Sequence, residues 1–257
     1  MPPVNQNPCG RAVLGCIQIP TDYVLDKEGP RLVDEFPGVE LRLQKMVFAS
    51  DNGCKSDGMQ LDTSTFQRNA NNIAVAGKTL LPIDRCTVIG MACTSLSFTL
   101  GPDHIDKQLG CVCPGVKTTD MARAQAKAIA AIGAKKVALL TPYITSLADK
   151  NKDMLEAGGD IIVVRRATME LERDELTSAV SKATISAWAE AVDCDECDAV
   201  VIGCSAFRAC EYGFIDELEL LLGKPVITST QSFMWSMLRT AGINDQINGY
   251  GKLFNNC

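Results

Sequence analysis

Two similar α/β lobes, each an open and mainly parallel sheet flanked by helices, are the architecture this chain predicts, and three observations predict it. Short apolar runs alternate with helical patterns along all 257 residues, the signature of strand–helix–strand units with right-handed crossovers. The order strand, helix, strand, helix, strand, cysteine occurs twice, over residues 11–93 and again over 136–204. The closing strand carries Val88-Ile89-Gly90 in the first case and Val201-Ile202-Gly203 in the second, shortly before Cys93 and Cys204. This is the layout of an internal duplication. It divides the chain into lobes 1–117 and 118–257, with the C-terminal helix free to pack back onto the first lobe and a cleft between the two.

Residues 11–19 form a near-continuous apolar run ended by Pro20, a buried first strand followed by a loop. Residues 26–36 suit a short helix closed by Pro37-Gly38. Residues 39–48 alternate Val39, Leu41 and Leu43 with Glu40, Arg42 and Gln44, as a half-buried strand near a sheet edge does. The polar stretch 50–58 is a loop. Asp62 or Thr63 caps a helix running to residue 81, stopped by Pro82. Residues 86–91 are the central strand that delivers Cys93, and the next helix starts at Gly101-Pro102.

The second half opens with a helix start at Thr118-Thr119-Asp120. Met121, Ala124, Ala128 and Ile132 recur at helical spacing, and Gly133 ends the run. Residues 136–141 are a buried strand, with Pro142-Tyr143 opening the next helix. Gly158-Gly159 turns the chain into a strand at 160–164. Residues 172–175 place acids in the first turn of a helix whose apolar face is Leu176, Val180, Ala183, Ala187 and Ala191. A strand at 198–203 then leads to Cys204. Residues 224–228 are the last strand and 230–240 a closing helix. Trp188 and Trp235 are assigned to the core.

Composition narrows the function. A net charge of −6 with no basic cluster argues against a nucleic-acid surface. No apolar run approaches the roughly 20 residues that span a bilayer, and residues 1–10 lack the pattern of a signal peptide, so a cytoplasmic protein is expected. Twelve cysteines in a chain this long do not make a disulfide scaffold, and free thiols are expected. Cys194 and Cys197 have C-x-x-C spacing, yet they precede their strand and no second ligand pair accompanies them, so no metal site is expected. His104 is the sole histidine and is placed on a surface helix, which excludes Ser-His-Asp catalysis.

Ligands of open parallel sheets bind beyond the carboxyl ends of the strands. Cys93 and Cys204 both lie just past such ends, and Thr94, Ser95 and Ser205 follow them with hydroxyl and N–H donors. Two lobes meeting at these ends would set one thiol on each wall of a pocket. One thiolate would take a proton from the carbon next to a carboxylate and the opposing thiol would return one, while the donors hold the enediolate. Such chemistry needs no metal and no organic cofactor. A small-molecule carboxylic acid is therefore the expected partner, without nucleic acid or membrane. The assembly, homo-oligomer or not, is left open.

Gly90-Met91-Ala92-Cys93-Thr94-Ser95 and Val201-Ile202-Gly203-Cys204-Ser205 resemble the paired cysteine motifs of the aspartate/glutamate racemase superfamily. The stretch from Cys93 to Phe98 is most similar to its arylmalonate decarboxylase and maleate cis-trans isomerase branch. The resemblance implies pseudo-symmetric Rossmann-like lobes, a cofactor-independent site between them, and two cysteines acting as acid and base. It implies that Tyr143 binds the substrate carboxylate and that Pro20, after the first strand, lines the site. In the decarboxylase a glycine stands where this chain has Cys93.

Two departures from the superfamily stand out. Amino-acid racemases carry an Asp-Ser pair after the first strand; here Ile19-Pro20-Thr21 follows, so a substrate without an α-amino group is expected. Maleate isomerases carry an asparagine there, for which Gln18 and Thr21 are the polar counterparts. The first reading is a two-thiol racemase or isomerase. The alternatives are a decarboxylase or lyase through the same enediolate, a maleate-type isomerase with a nucleophilic cysteine, and a non-catalytic carboxylate-binding protein.

Overall fold

The computed structural model describes residues 10–49, 62–80, 82 and 85–256. The first half contains β1 (Ala12–Gln18), α1 (Leu25–Val33), β2 (Val39–Lys45), α2 (Thr63–Asn69), α3 (Asn72–Gly77), β3 (Val88–Met91), α4 (Thr94–Leu100), α5 (Pro102–Gly110) and β4 (Lys117–Asp120). The second half contains α6 (Met121–Ala131), β5 (Lys136–Thr141), α7 (Thr145–Glu156), β6 (Ile162–Thr168), α8 (Asp174–Ser178), α9 (Lys182–Val192), β7 (Ala199–Ile202), α10 (Phe214–Leu222), β8 (Val226–Thr228), α11 (Ser229–Thr240) and α12 (Gly251–Asn256).

These elements make two four-stranded sheets, ordered β2-β1-β3-β4 and β6-β5-β7-β8, with every neighbouring pair parallel. The order is the same in both, which gives the duplicated layout its structural form. The apolar runs become central strands because their side chains are buried on both faces: β1, β3 and β7 are buried at every position. β2, with charges alternating along it, is only half-buried and lies at the sheet edge.

Several expectations are corrected. The helix foreseen from 62 to 81 is two helices, broken at residues 70–71. Asn69 there turns its amide onto the Ala49 backbone and the Thr65 carbonyl, a local competition typical of asparagine. A helix, α4, follows Cys93 directly, and Gly101 with φ +80° turns the chain into α5. Residues 117–120 form a strand before Asp120 caps α6 through the Arg123 N–H. The first sheet therefore runs past the boundary placed at 117. The helix at 172–191 divides into α8 and α9, with Ser181 capping α9 through the Thr184 N–H. That cap rotates the helix, so Ile185, Ala189 and Val192 face inward while Ala183, Ala187 and Ala191 are exposed. Trp188 is half-buried. The loop foreseen at 50–58 lies outside the described residues.

Each sheet's last strand feeds a helix that reaches the other half. α6 follows β4 and packs on β8; α11 follows β8 and packs on β3, β4 and α1; the two helices cross each other. α12 also returns to the first half, with Phe254 against Phe36. The contact of α11 with β3 requires a glycine: a Cβ on Gly90 would lie 2.6 Å from Phe233 Cζ and 2.8 Å from Met237 Sδ. Gly90→Ala is accordingly expected to destabilise the protein by about 1 to 3 kcal/mol through overpacking, read as a lowered denaturation midpoint with an unchanged m-value.

Candidate active site

In both sheets the connection changes direction between the two central strands, β1 and β3 in one, β5 and β7 in the other. The carboxyl ends of these strands border the crevice where open parallel sheets bind ligands. Four loops enter it, carrying Pro20 to Asp22, Ala92 and Cys93, Pro142 and Tyr143, and Gly203 to Ala206.

Cys93 is the N-cap of α4, in extended backbone, with Ser97 N–H on its carbonyl. Its Sγ lies 3.6 Å from Ser95 Oγ. Cys204 has φ +124°, a conformation that costs a residue with a Cβ on the order of 1 to 3 kcal/mol. It is held there by its neighbours: Gly203 N–H donates to Leu140 O at 2.8 Å, and Cys204 N–H donates to Ser229 Oγ at 2.8 Å. Ser229 opens α11 and also accepts Gln125 Nε2–H of α6 at 2.9 Å, while the Thr94 hydroxyl is bonded to it at 2.9 Å. One hydroxyl thus ties both cysteine loops to the crossing of α6 and α11.

Cys93, Cys204, Tyr143, Asp22 and Asp174 are 3%, 6%, 1%, 1% and 2% exposed, so each is buried. Burial pushes the Cys93 thiol up to about 12, and the Asp174 charge adds to this; the Ser95 hydroxyl and Leu96 N–H act in the opposite direction. Cys204 is raised by burial, then by Asp174 and Asp22. The Tyr143 hydroxyl lies within reach of the Cys204 sulfur and has no nitrogen or oxygen partner among the described residues. Burial raises its pKa first, then the charges of Cys204 and Cys93, so the same phenol faces both sulfurs. Its ring is fixed by an edge-on contact with Phe98 at 5.7 Å between centroids, and its carbonyl accepts the Thr168 hydroxyl.

The structure brings Cys93, Ser95, Tyr143, Cys204 and Ser205 together. Ser205 bonds the Asp22 carboxylate. Pro20 is at the rim, its carbonyl accepting from Lys45 Nζ at 3.3 Å. Thr94 is the exception, since its hydroxyl turns away to Ser229 and to Met121 Sδ; only its first-turn N–H stays on the crevice side. Gln18 is taken up by Asp26. Cys194 and Cys197 sit far from this group, with Lys224 Nζ 3.6 Å from Cys197 Sγ.

A family model described as arylmalonate decarboxylase matches residues 52–254. The chain belongs to that family. Its membership upholds the resemblance to the arylmalonate decarboxylase and maleate isomerase branch of the superfamily. The maleate isomerase of Nocardia farcinica (strain IFM 10152) is 25% identical over 247 residues, covering 93% of this chain and 94% of its own. A Pseudomonas putida S16 maleate isomerase variant solved with maleate superposes with a TM-score of 0.80 at 19% identity, over 96% of this chain and 98% of that one. A liganded arylmalonate decarboxylase with a cysteine put in for a glycine and a serine for a cysteine gives 0.77 at 20% identity, over 96% and 100%. These likenesses carry the fold, and it is the α/β architecture expected.

Within this family site, three residues escape a reading of the sequence. Asp22 stands one position beyond Thr21, and its Oδ1 accepts the Leu25 N–H at 2.9 Å. Asp174, expected merely as an acid near a helix N-terminus, is buried at the start of α8 and accepts the Thr21 hydroxyl at 2.8 Å. Ser229 has no local signal beyond following a strand.

Two expectations follow. Position 204 reverses the usual order of glycine and alanine. Cys204→Gly is expected to be more stable than Cys204→Ala by about 1 kcal/mol, since only glycine adopts this φ without strain, as measured by chemical denaturation. The second concerns Asp174, which burial, followed by the Asp22 charge, raises to about 7. The native state therefore holds a proton that the unfolded chain releases near its ordinary pKa of about 4. Its stabilising contribution is full below about pH 4 and is lost as pH rises through 7. Among the described residues, Asp22, Glu175, Cys93, Cys204 and Tyr143 are titratable groups that interact with it. Asp174→Asn is expected to flatten the fall in unfolding free energy between pH 5 and pH 8 and to gain on the order of 2 kcal/mol at pH 8.

Proposed function

We propose that the protein is a cofactor-independent racemase or isomerase that moves a proton at the carbon next to a carboxylate, with Cys93 and Cys204 as the two proton-carrying groups. The observation that supports this is that Cys93 and Cys204 lie buried just beyond the carboxyl ends of the equivalent strands β3 and β7, with the buried Tyr143 hydroxyl near both sulfurs. A carboxylate fits there, accepting from Tyr143, from the Ser95 hydroxyl and from the first-turn N–H groups of α4. One thiolate takes the proton, the C–H electron pair passes into the carboxylate to give an enediolate, and the opposite thiol S–H protonates the other face. The strained backbone at Cys204 fixes the direction of its Cα–Cβ bond, which suits a group that must meet one face of a planar intermediate.

A second reading is decarboxylation through the same enediolate, supported by the family's name. A glycine of the decarboxylase sits where Cys93 does, and loss of carbon dioxide calls for a proton donor without a base. Cys93 favours the first reading. A third reading uses a cysteine as nucleophile, as the N. farcinica maleate cis-trans isomerase does when a succinylcysteine forms.

The test is solvent-deuterium incorporation by NMR across malonates, maleate, 2-aryl acids and amino acids. Cys204→Ser is expected to lose all turnover, at least 100-fold. Cys93→Ser is expected to lose racemisation to the same extent while keeping any decarboxylation of a malonate. Racemisation surviving in Cys93→Ser would refute the two-thiol assignment.

A further inference from the structure

Cys194 and Cys197 lie outside the crevice, and the proton chemistry there does not use them. They are the first and last residues of a turn between α9 and β7, closed by Cys197 N–H on Cys194 O at 3.1 Å. A turn of this kind holds its end Cα atoms less than about 7 Å apart, and a disulfide spans roughly 4.4 to 6.8 Å. The Cys197 side chain folds back across the turn. Its sulfur meets the Cys194 backbone N–H, and its S–H donates to Asp193 Oδ1 at 3.2 Å. Lys224, from the segment that enters β8, covers the same turn. Its Nζ is 2.8 Å from Asp193 Oδ1 and 3.6 Å from Cys197 Sγ, and it donates to the Cys194 carbonyl. Cys197 is buried and Cys194 half-buried, so the cluster opens to solvent on the Cys194 side.

We propose that Cys194 and Cys197 form a thiol modification site, a dithiol that a peroxide closes to an intramolecular disulfide. Cys194, the more accessible of the two, meets the oxidant. Its sulfur attacks one peroxide oxygen, the O–O bond breaks, and Cys194 sulfenic acid and one water result. Cys197 Sγ then attacks the Cys194 sulfur, the S–OH bond breaks, and the hydroxide leaves as a second water with the Cys197 proton. Two thiols lose two electrons, and the peroxide takes them up. Burial raises the Cys197 thiol, and the Asp193 carboxylate adds to this; the Cys194 N–H and the Lys224 ammonium act in the opposite direction. Such a thiol is slow towards peroxide by itself and suits the resolving role, in which it attacks a sulfur held at close range. Lys224 is the positioning residue, since it binds the Cys194 carbonyl and favours the attacking thiolate. The pair stands at the opposite end of β7 from Cys204, so the target of the oxidant is separate from the crevice thiols. The site is independent of the proton-transfer reading.

The full chain, reduced and then treated with hydrogen peroxide, tests the proposal once its remaining thiols are alkylated and its peptides are read by mass spectrometry. A loss of about 2 Da, the two thiol hydrogens, is expected on the peptide that links Cys194 to Cys197, ahead of any change at Cys93 or Cys204 and reversed by dithiothreitol. Cys197→Ser is expected to stop at a Cys194 sulfenic acid that dimedone traps. Lys224→Met, which keeps the aliphatic stem, is expected to slow closure about fivefold or more while Cys194 sulfenic acid forms at an unchanged rate. Sulfinic acid accumulating on Cys194 beside an intact Cys197 thiol would overturn the proposal, and so would bonds from either cysteine to a different partner. Equal closure rates in Lys224→Met would overturn the part given to Lys224. The first measurement uses no variant, so it decides the site even where a substitution unfolds the chain.

Discussion

The Ser229 hydroxyl is the point on which the two halves depend. Three donors converge on this one oxygen: Cys204 N–H, Gln125 Nε2–H and the Thr94 hydroxyl. These partners belong to the loop after β7, to α6 and to α4, so a single buried atom connects the second sheet, the exchanged helix and the cap of the first cysteine. Removing it would leave buried donors unsatisfied, at about 1 to 3 kcal/mol each. Its own position is secured by a reciprocal cap, in which Thr228 Oγ1 accepts Gln231 N–H and Gln231 Oε1 accepts Thr228 N–H. Gln231 Nε2 continues to the Tyr250 carbonyl, so the start of α11 is anchored on both sides.

From this anchor the exchange of helices follows. Had α11 packed on its own sheet alone, the two cysteine loops would sit on separate bodies and their separation would vary with any hinge motion. Because α11 leaves β8 and lies on β3 and β4 while α6 leaves β4 and reaches β8, each half is part of the other's core. That arrangement also explains the strain at Cys204. Its N–H must meet Ser229 and Gly203 N–H must meet Leu140 O, and Gly203 has no room for a side chain, its Cβ position being 2.8 Å from Asn151 Oδ1.

How much of this the sequence discloses depends on how strongly each element is constrained locally. The central strands are legible because burial on both faces demands uninterrupted apolar runs, and the two cysteines are legible because they close two such runs in equivalent positions. β4 is not, since an edge strand of Lys117, Thr118, Thr119 and Asp120 has no apolar period and its last residue doubles as a helix cap. α9 misleads because alanine is indifferent to burial: Ala183, Ala187 and Ala191 make as good a stripe as Ile185, Ala189 and Val192, and only the Ser181 cap decides between them. The acids of the site are hidden for another reason. Asp22 looks like a loop residue and Asp174 like a helix-dipole acid, and only the fold of both halves sets them beside the same sulfurs.

The charges in that enclosed space constrain any mechanism. Two thiols, a phenol and two carboxyls are all weak acids, and burial raises every one of them. Burial penalises the charged form of each, so a mechanism that calls for a thiolate has to form it against that penalty.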